Sequence, residues 1–198
     1  ATILSIDDEF RRTVEEALAR LPEVKIGRDG TIQEWHEDYD EREPGHRHMS
    51  HLLGLHPFAQ ITPRTPELFQ AARQTLKRRI EHGGGQCGWS RAWLISHHAR
   101  LLEGDAAHGH LMALLRTSKY PNFFGMDSVF QIDAHFGAAA GVAEMLLQSH
   151  DGEIHLLPAL PTAWPTGHFR GLRARGGFLV DVNWQDGRPI GARIHSQA

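Results

Sequence analysis

Three stretches of the chain concentrate side chains that can do chemistry. The first, Gln33-Glu34-Trp35-His36-Glu37-Asp38-Tyr39 followed by Pro44-Gly45-His46-Arg47-His48-Met49-Ser50-His51, gathers carboxylates, imidazoles, a guanidinium and two aromatics in fewer than twenty residues. A neutral sugar needs this mixture, because its hydroxyls demand planar bidentate partners and its apolar ring face favours Trp or Tyr. A polar loop with surface histidines has the same composition, so residue types alone leave both readings open. The second stretch, Gly83-Gly84-Gly85-Gln86-Cys87-Gly88-Trp89-Ser90-Arg91-Ala92-Trp93, lacks the lysine and Ser/Thr that a phosphate-cradling loop requires after its last glycine. A mononucleotide site is therefore not expected. Trp93 is expected in the core, and Trp89 either packs or presents a face to a ligand. The third, Phe130-Gln131-Ile132-Asp133-Ala134-His135, places Asp133 between apolar residues at the leading edge of a helix. By spacing alone an N-cap is the simpler role for it, and a catalytic carboxylate is the alternative.

Competing chemistries are weaker. The chain carries 15 histidines, and His46-x-His48-x-x-His51 with a carboxylate such as Asp133 could suggest a metal-dependent hydrolase. The helical His-Glu-x-x-His arrangement is absent, however, and the other histidines are scattered. Neither a metal nor another cofactor is expected. No Gly-x-Ser-x-Gly elbow occurs, which argues against a serine hydrolase. With 21 basic and 24 acidic residues in 198, the net charge of -3 recommends neither nucleic acid nor an anionic membrane as partner. The single cysteine, Cys87, excludes an intrachain disulfide framework without fixing the compartment. Cellular location stays open, with a secreted or periplasmic parent as one expectation. No apolar run approaches the roughly 20 residues of a bilayer-spanning helix. The chain opens without methionine, which suits an excised or processed fragment.

The elements that must position these groups are mainly helical at first. Apolar side chains at Phe10, Val14, Leu18 and Leu21 predict a helix over 8–21, ended by Pro22. Thr65-Pro66 predicts the start of a second, with Leu68, Ala72, Leu76 and Ile80 on one stripe up to the glycines at 83–85. Ser90 is expected to cap a third and Asp105 a fourth, short connections making an antiparallel series. A fifth, rich in small residues, is expected in the interior over 136–148. After residue 150 the pattern turns β-prone: 152–158 reads as a short strand, and 177–184 alternates Phe178, Val180, Val182 and Trp184. Asp186-Gly187 then turns the chain into a partner strand at 190–194. Helices followed by strands indicate a mainly α fold with a β appendage.

Six ordered blocks carry a resemblance. Gln33-Glu34-Trp35 with Asp38-Tyr39, Gly45-His46-Arg47-His48-Met49-Ser50-His51-Leu52, Gly88-Trp89-Ser90-Arg91-Ala92-Trp93, Phe130-Gln131-Ile132-Asp133, Ala143-Glu144-Met145-Leu146-Leu147-Gln148-Ser149 and Ile154-His155-Leu156-Leu157-Pro158-Ala159-Leu160-Pro161 resemble glycoside hydrolase family 95, the inverting α-L-fucosidases, from about residue 31 onward. The resemblance implies that residues 1–150 are the C-terminal part of an (α/α)6 catalytic barrel of the six-hairpin type, and that 151–198 form a small antiparallel β domain. It implies hydrolysis of terminal α-L-fucosyl groups, α-1,2-linked, on glycans. Asp133 matches the aspartate that polarises a water-holding asparagine, and Arg47 and His48 match the sugar-contacting pair. Trp89 and Glu34 fall in shared blocks and are expected to line the pocket. The general-acid glutamate and the asparagine pair lie upstream of Ala1 in the family, so this chain alone is expected to be incomplete, and to oligomerise or join a complementary N-terminal fragment. Two alternatives stay open: an α-L-galactosidase of the same family, or a non-catalytic carbohydrate-binding or structural remnant, the latter suggested by Ala134-His135 where the family usually has Gly-Asn.

Overall fold

The computed structural model describes residues 4–117, 122, 125 and 132–197. Helices α1 (Asp8–Leu18), α2 (Pro66–Glu81), α3 (Gly88–Arg100), α4 (Gly104–Thr117) and α5 (Ile132–Leu146) come first, with a 3-10 turn at Ser50–Leu52 in the long connection from α1 to α2. Strands β1 (Leu147–Gln148) and β2 (His155–Leu156) make a short antiparallel ribbon. Strands β3 (Gly167–Ala174), β4 (Phe178–Gln185) and β5 (Arg188–Ser196) form an antiparallel sheet in that order. The chain is thus mainly helical with a small β part. Among the described residues, no helix is long and apolar enough to cross a membrane.

The centre of the helical part is α3, whose residues from Leu94 to Arg100 are all buried. A helix enclosed on every side needs neighbours around it, and α3 has them in α4 and α5. Ala92, Ile95 and Ala99 pack with Ala107, Leu111 and Leu114 of α4 and with Ala138 and Met145 of α5. The α3–α5 contact depends on small residues. A Cβ at Gly137 would lie 2.9 Å from that of Ala92, and one at Gly141 would lie 2.6 Å from Cγ2 of Ile95. Four residues forward on α5 therefore match three forward on α3, so the two helices run parallel. Glu144 then meets Arg100, which donates from Nε to Oε2 (2.6 Å) and from Nη2 to Oε1 (3.1 Å). The same buried guanidinium donates from Nη1 to the carbonyls of Leu55 and Phe58, both at 3.0 Å, and so ties the α1–α2 connection to the helix pair.

Two further cores complete the packing. Ile32, Met49, Leu52, Leu55 and Ile61 from the connection cover Ala71, Ala72 and Leu76 of α2 and Leu94 of α3. Phe169, Val180, Val182 and Trp184 of the sheet close over Leu147. Between α4 and the segment leading to the sheet, Asp105 accepts both the backbone N–H (2.7 Å) and the hydroxyl (2.9 Å) of Thr162.

Several expected elements are corrected. The first helix ends at Leu18 rather than Leu21 and buries none of its residues, leaving Phe10 and Leu18 exposed. Ser90 lies inside α3, which starts at Gly88 behind an extended Cys87, and its hydroxyl donates to the Cys87 carbonyl at 3.1 Å. Asp105 cross-links to Thr162 instead of capping α4. Thr65 stands at the N-cap of α2, yet its hydroxyl donates back to the Thr62 carbonyl at 3.0 Å. The fifth helix begins at Ile132 and stops at Leu146, because Leu147 and Gln148 leave it to pair with Leu156 and His155. It is interior along one face only: Ala134, Ala138, Gly141 and Met145 are buried, while Ile132 and Phe136 are exposed. The strand read over 152–158 shrinks to two residues. Strand β3 had no signal in the alternation, since its register shifts between Phe169 and Leu172 and breaks the period of two. The hairpin at Asp186-Gly187 is as expected, both residues having positive φ.

Much of the heavy histidine content is core material. His97 is fully buried with no hydrogen bond to either ring nitrogen among the described residues, and its ring lies 5.3 Å from that of Trp93 and 6.2 Å from that of His56. Burial is the main cause that pushes His51, His56 and His110 down to about 4 and His97 well below its ordinary 6.5. Between pH 6.5 and 4 the unfolded chain therefore binds protons that the folded chain refuses, and acid favours unfolding. Stability from these imidazoles is complete above pH 6.5 and is lost as pH falls toward 4. The thermal midpoint should drop continuously over that interval, and a flat profile would contradict the packing of neutral histidines. Gly141→Val should cost about 1–3 kcal/mol by forcing α3 and α5 apart, read as a lowered midpoint in denaturant.

Candidate functional site

The α1–α2 connection carries most of the candidate groups. An antiparallel bridge between Ile26 and Ile32 starts it, and the Ile32 N–H donates to the buried Thr75 hydroxyl of α2 at 2.8 Å. That bond fixes the backbone two residues before Glu34. Gly45 lies so close to the His82 carbonyl at the end of α2 that a Cβ there would overlap it, which brings His46, Arg47 and His48 up to the helix end. Met49 and Leu52 then bury themselves while Arg47, His48 and Ser50 stay exposed.

Arg79 of α2 holds this segment from beneath. Its guanidinium is buried and donates to Oε2 of Glu34 (2.7 Å) and to the carbonyl of Glu43 (3.0 Å), and it pairs with Oε1 of Glu41 at 3.2 Å. Arg78 donates to Glu41 Oε2 at 2.7 Å. Glu34 also accepts the Ser50 hydroxyl (3.3 Å) and lies 3.7 Å from His51 Nδ1. Its two oxygens are thus engaged by the protein itself. His51, whose Nδ1 has no hydrogen-bond partner among the described residues, is pushed down to about 4 by burial, with Glu34 opposing and Arg79 assisting.

Over this network opens a cleft of about 560 Å³, lined among others by Glu34, Trp35, Tyr39, His46, His48 and Arg79. Of the expected site residues, Glu34 and His48 line it directly. Trp89, in the first turn of α3, packs edge-on against the His48 ring at 5.0 Å. The His46 ring also lies against it, tilted at 4.9 Å, and accepts the His48 backbone N–H through Nδ1 at 3.0 Å. Partial burial, then His46 and Arg47, lower His48 below its ordinary value, against a smaller upward pull from Glu34. His48 is therefore a neutral imidazole at pH 7, able both to donate and to accept. Arg47 is exposed beside the cleft without being part of its lining.

Asp133 stands on the other helix. It is exposed inside the first turn of α5, where Oδ1 accepts the adjacent Ala134 N–H at 3.0 Å, so it follows the helix start at Ile132 rather than capping it. Phe130 and Gln131 of its block lie outside the described residues. Parallel alignment decides where Asp133 sits. One turn back from the Gly137–Ala92 contact, about 6 Å along the axes, leads to Asp133 on α5 and to the Gly88-Trp89 turn on α3. Asp133 and the Trp89–His48 contact therefore belong to the same end of the helix pair. Among the described residues, no group of three or more His, Cys, Asp or Glu is arranged to hold a metal ion.

Residues 1–146 match the glycosyl hydrolase family 95 catalytic domain, and residues 148–198 match the glycoside hydrolase family 95 C-terminal domain. The chain belongs to glycoside hydrolase family 95. It is 45% identical to "Alpha-L-fucosidase 2" of Arabidopsis thaliana across 93% of this chain and 23% of that protein. It is 32% identical to "Probable alpha-fucosidase A" of Aspergillus niger (91% of this chain, 25% of that protein) and 31% identical to the protein of the same name from Aspergillus oryzae (90% and 28%). The chain thus spans about a quarter of the length of these relatives.

Within this family 95 chain, reasoning from residue types overlooked Arg79. A signal was present, since Arg79 follows Leu76 by three residues and Ala72 by seven, which places it on the buried stripe of α2. Arg79→Met should destabilise the fold by about 3–5 kcal/mol, because it leaves the Glu34 and Glu41 carboxylates without their buried partner. Chemical denaturation checks this, and a loss under 1 kcal/mol would show that the network is dispensable.

Proposed function

We propose that this chain is the C-terminal part of an inverting α-L-fucosidase that releases terminal, α-1,2-linked L-fucose from glycans. In this reading residues 1–150 complete an (α/α)6 barrel and 151–198 form the β domain that follows it. Barrels of paired helices need parallel inner helices with outer ones returning, and the parallel α3 and α5 joined through α4 suit that arrangement. The exposed apolar side chains of α1 (Phe10 68%, Leu18 59%) and of α5 (Ile132 52%, Phe136 67%) suit packing against the remainder of a barrel.

Inverting hydrolysis requires water to attack the anomeric carbon from one face while the glycosidic oxygen leaves, protonated, on the other. The family resemblance gives Asp133 the task of polarising the amide group that holds this water, and an exposed carboxylate at a helix end is free to take such a partner. Arg47 and His48 are assigned to the sugar. A guanidinium offers donors in a fixed planar fork, and a neutral imidazole steadied by Trp89 and His46 can bond a hydroxyl in either sense. Glu34 contributes to the pocket wall and, through Arg79, to its rigidity. The single observation that carries the reading is the common end of α3 and α5 shared by Asp133 and the Trp89–His48 pair.

Asp133→Asn in the complete enzyme should lower fucose release by about 10²-fold or more while leaving the fold intact. NMR of the first-formed sugar should show β-L-fucose from an α-linked substrate. Wild-type turnover in the variant would remove Asp133 from the mechanism, and an α-configured product would remove inversion. Binding of fucose without any release by the complete wild-type protein would favour a carbohydrate-binding remnant instead.

A further inference from the structure

The cleft continues past Glu34 and His48 along side chains to which the fucose reading gives no task. Trp35 and Tyr39 line it with 60% and 51% of their surfaces exposed, and Trp35 belongs to none of the three apolar cores. Asp40 and Glu43 lie along the same lining. The segment is held at both ends, Glu34 and Glu41 both pairing with the buried Arg79, and it is braced between them where Asp38 accepts the Arg28 N–H at 2.7 Å. Exposed aromatics on a braced backbone form a ready surface, because little freedom remains to be lost when a ligand lies on them. The cleft, about 560 Å³, also falls within the size range of pockets that take ligands larger than one small sugar.

We propose that Trp35 and Tyr39 form the platform for the sugar to which the fucose is attached, a neutral pyranose whose C–H face stacks on the rings. This assignment rests on the fucosidase reading above. Asp40 and Glu43 accept hydroxyls of that sugar. The lining also tells against an anionic sugar, since the carboxylates Glu34, Asp40, Glu41 and Glu43 outnumber the guanidiniums Arg42 and Arg79, and Arg79 is occupied by Glu34 and Glu41.

The test compares two substrates of the complete enzyme: the disaccharide α-1,2-fucosylgalactose, and α-L-fucosyl fluoride, which has no second sugar. In Trp35→Ala the ratio of kcat/KM for the disaccharide to that for the fluoride should fall about tenfold, mainly through KM of the disaccharide, and Trp35→Phe should recover most of it. Tyr39→Ala should lower the same ratio, giving an independent reading should one variant fold poorly. An unchanged ratio in both alanine variants, whether or not absolute rates fall, overturns the platform. A wild-type enzyme that cleaves neither substrate overturns the fucosidase reading itself, whereas one that cleaves both with the ratio unmoved by substitution overturns the platform alone.

Discussion

The contact between α3 and α5 sets the register of the helices at the centre of the molecule. Two glycines let the helices approach, and Arg100, reaching Glu144 on one side and two loop carbonyls on the other, allows a single register. A buried bidentate ion pair adds little net stability over an apolar pair of the same shape, but a shifted register would strand its charges without partners. The parallel direction of the helices then brings their first turns to one end, together with Trp89 and Asp133.

The connection between α1 and α2 is a second structure built on the same logic. A long loop has few hydrogen bonds of its own, so its polar groups need partners supplied by the elements beneath it. Arg79 supplies several at once, Arg100 two more at the Leu55 and Phe58 carbonyls and Thr75 one at Ile32, while the close approach at Gly45 seats the chain against the end of α2. With Met49, Leu52 and Leu55 turned inward and His51 buried beside Glu34, the polar residues Arg47, His48 and Ser50 face solvent over a fixed floor. A carbohydrate site benefits from such rigidity, since each hydrogen bond to a hydroxyl replaces one to water and returns little unless its donor and acceptor are already in place.

Histidine serves two purposes here. His48 and His46 sit at the cleft, whereas His56 and His97 pack beside Trp93 as aromatic filling. Composition cannot distinguish these uses, because the ring is chemically identical in both. Burial alone separates them.

Local rules made the helices, the β4–β5 hairpin and the site loops legible in the sequence: apolar spacing, Pro66 at a helix start, alternation at Val180, Val182 and Trp184, and a turn at Asp186-Gly187. The ordered blocks from Gln33 to Pro161 made the family legible as well. Hidden from such reading were β3, whose bulge interrupts the alternation, the early starts of α3 and α5, and the partners of Arg79 and Arg100; the helical stripe marks Arg79 as inward-facing but does not say which groups it meets. Their partners lie from 35 to 45 residues away along the chain. Asp133, flanked by Ile132 and Ala134, is exposed, because only a neighbouring element can cover a side chain and none of those described does so. The sequence by itself determined which segments coil, turn and extend, since those preferences act between near neighbours. Tertiary structure decided which charges are paired, which histidines are buried and which ends of α3 and α5 lie together, since burial and long-range packing exist only once the chain is folded.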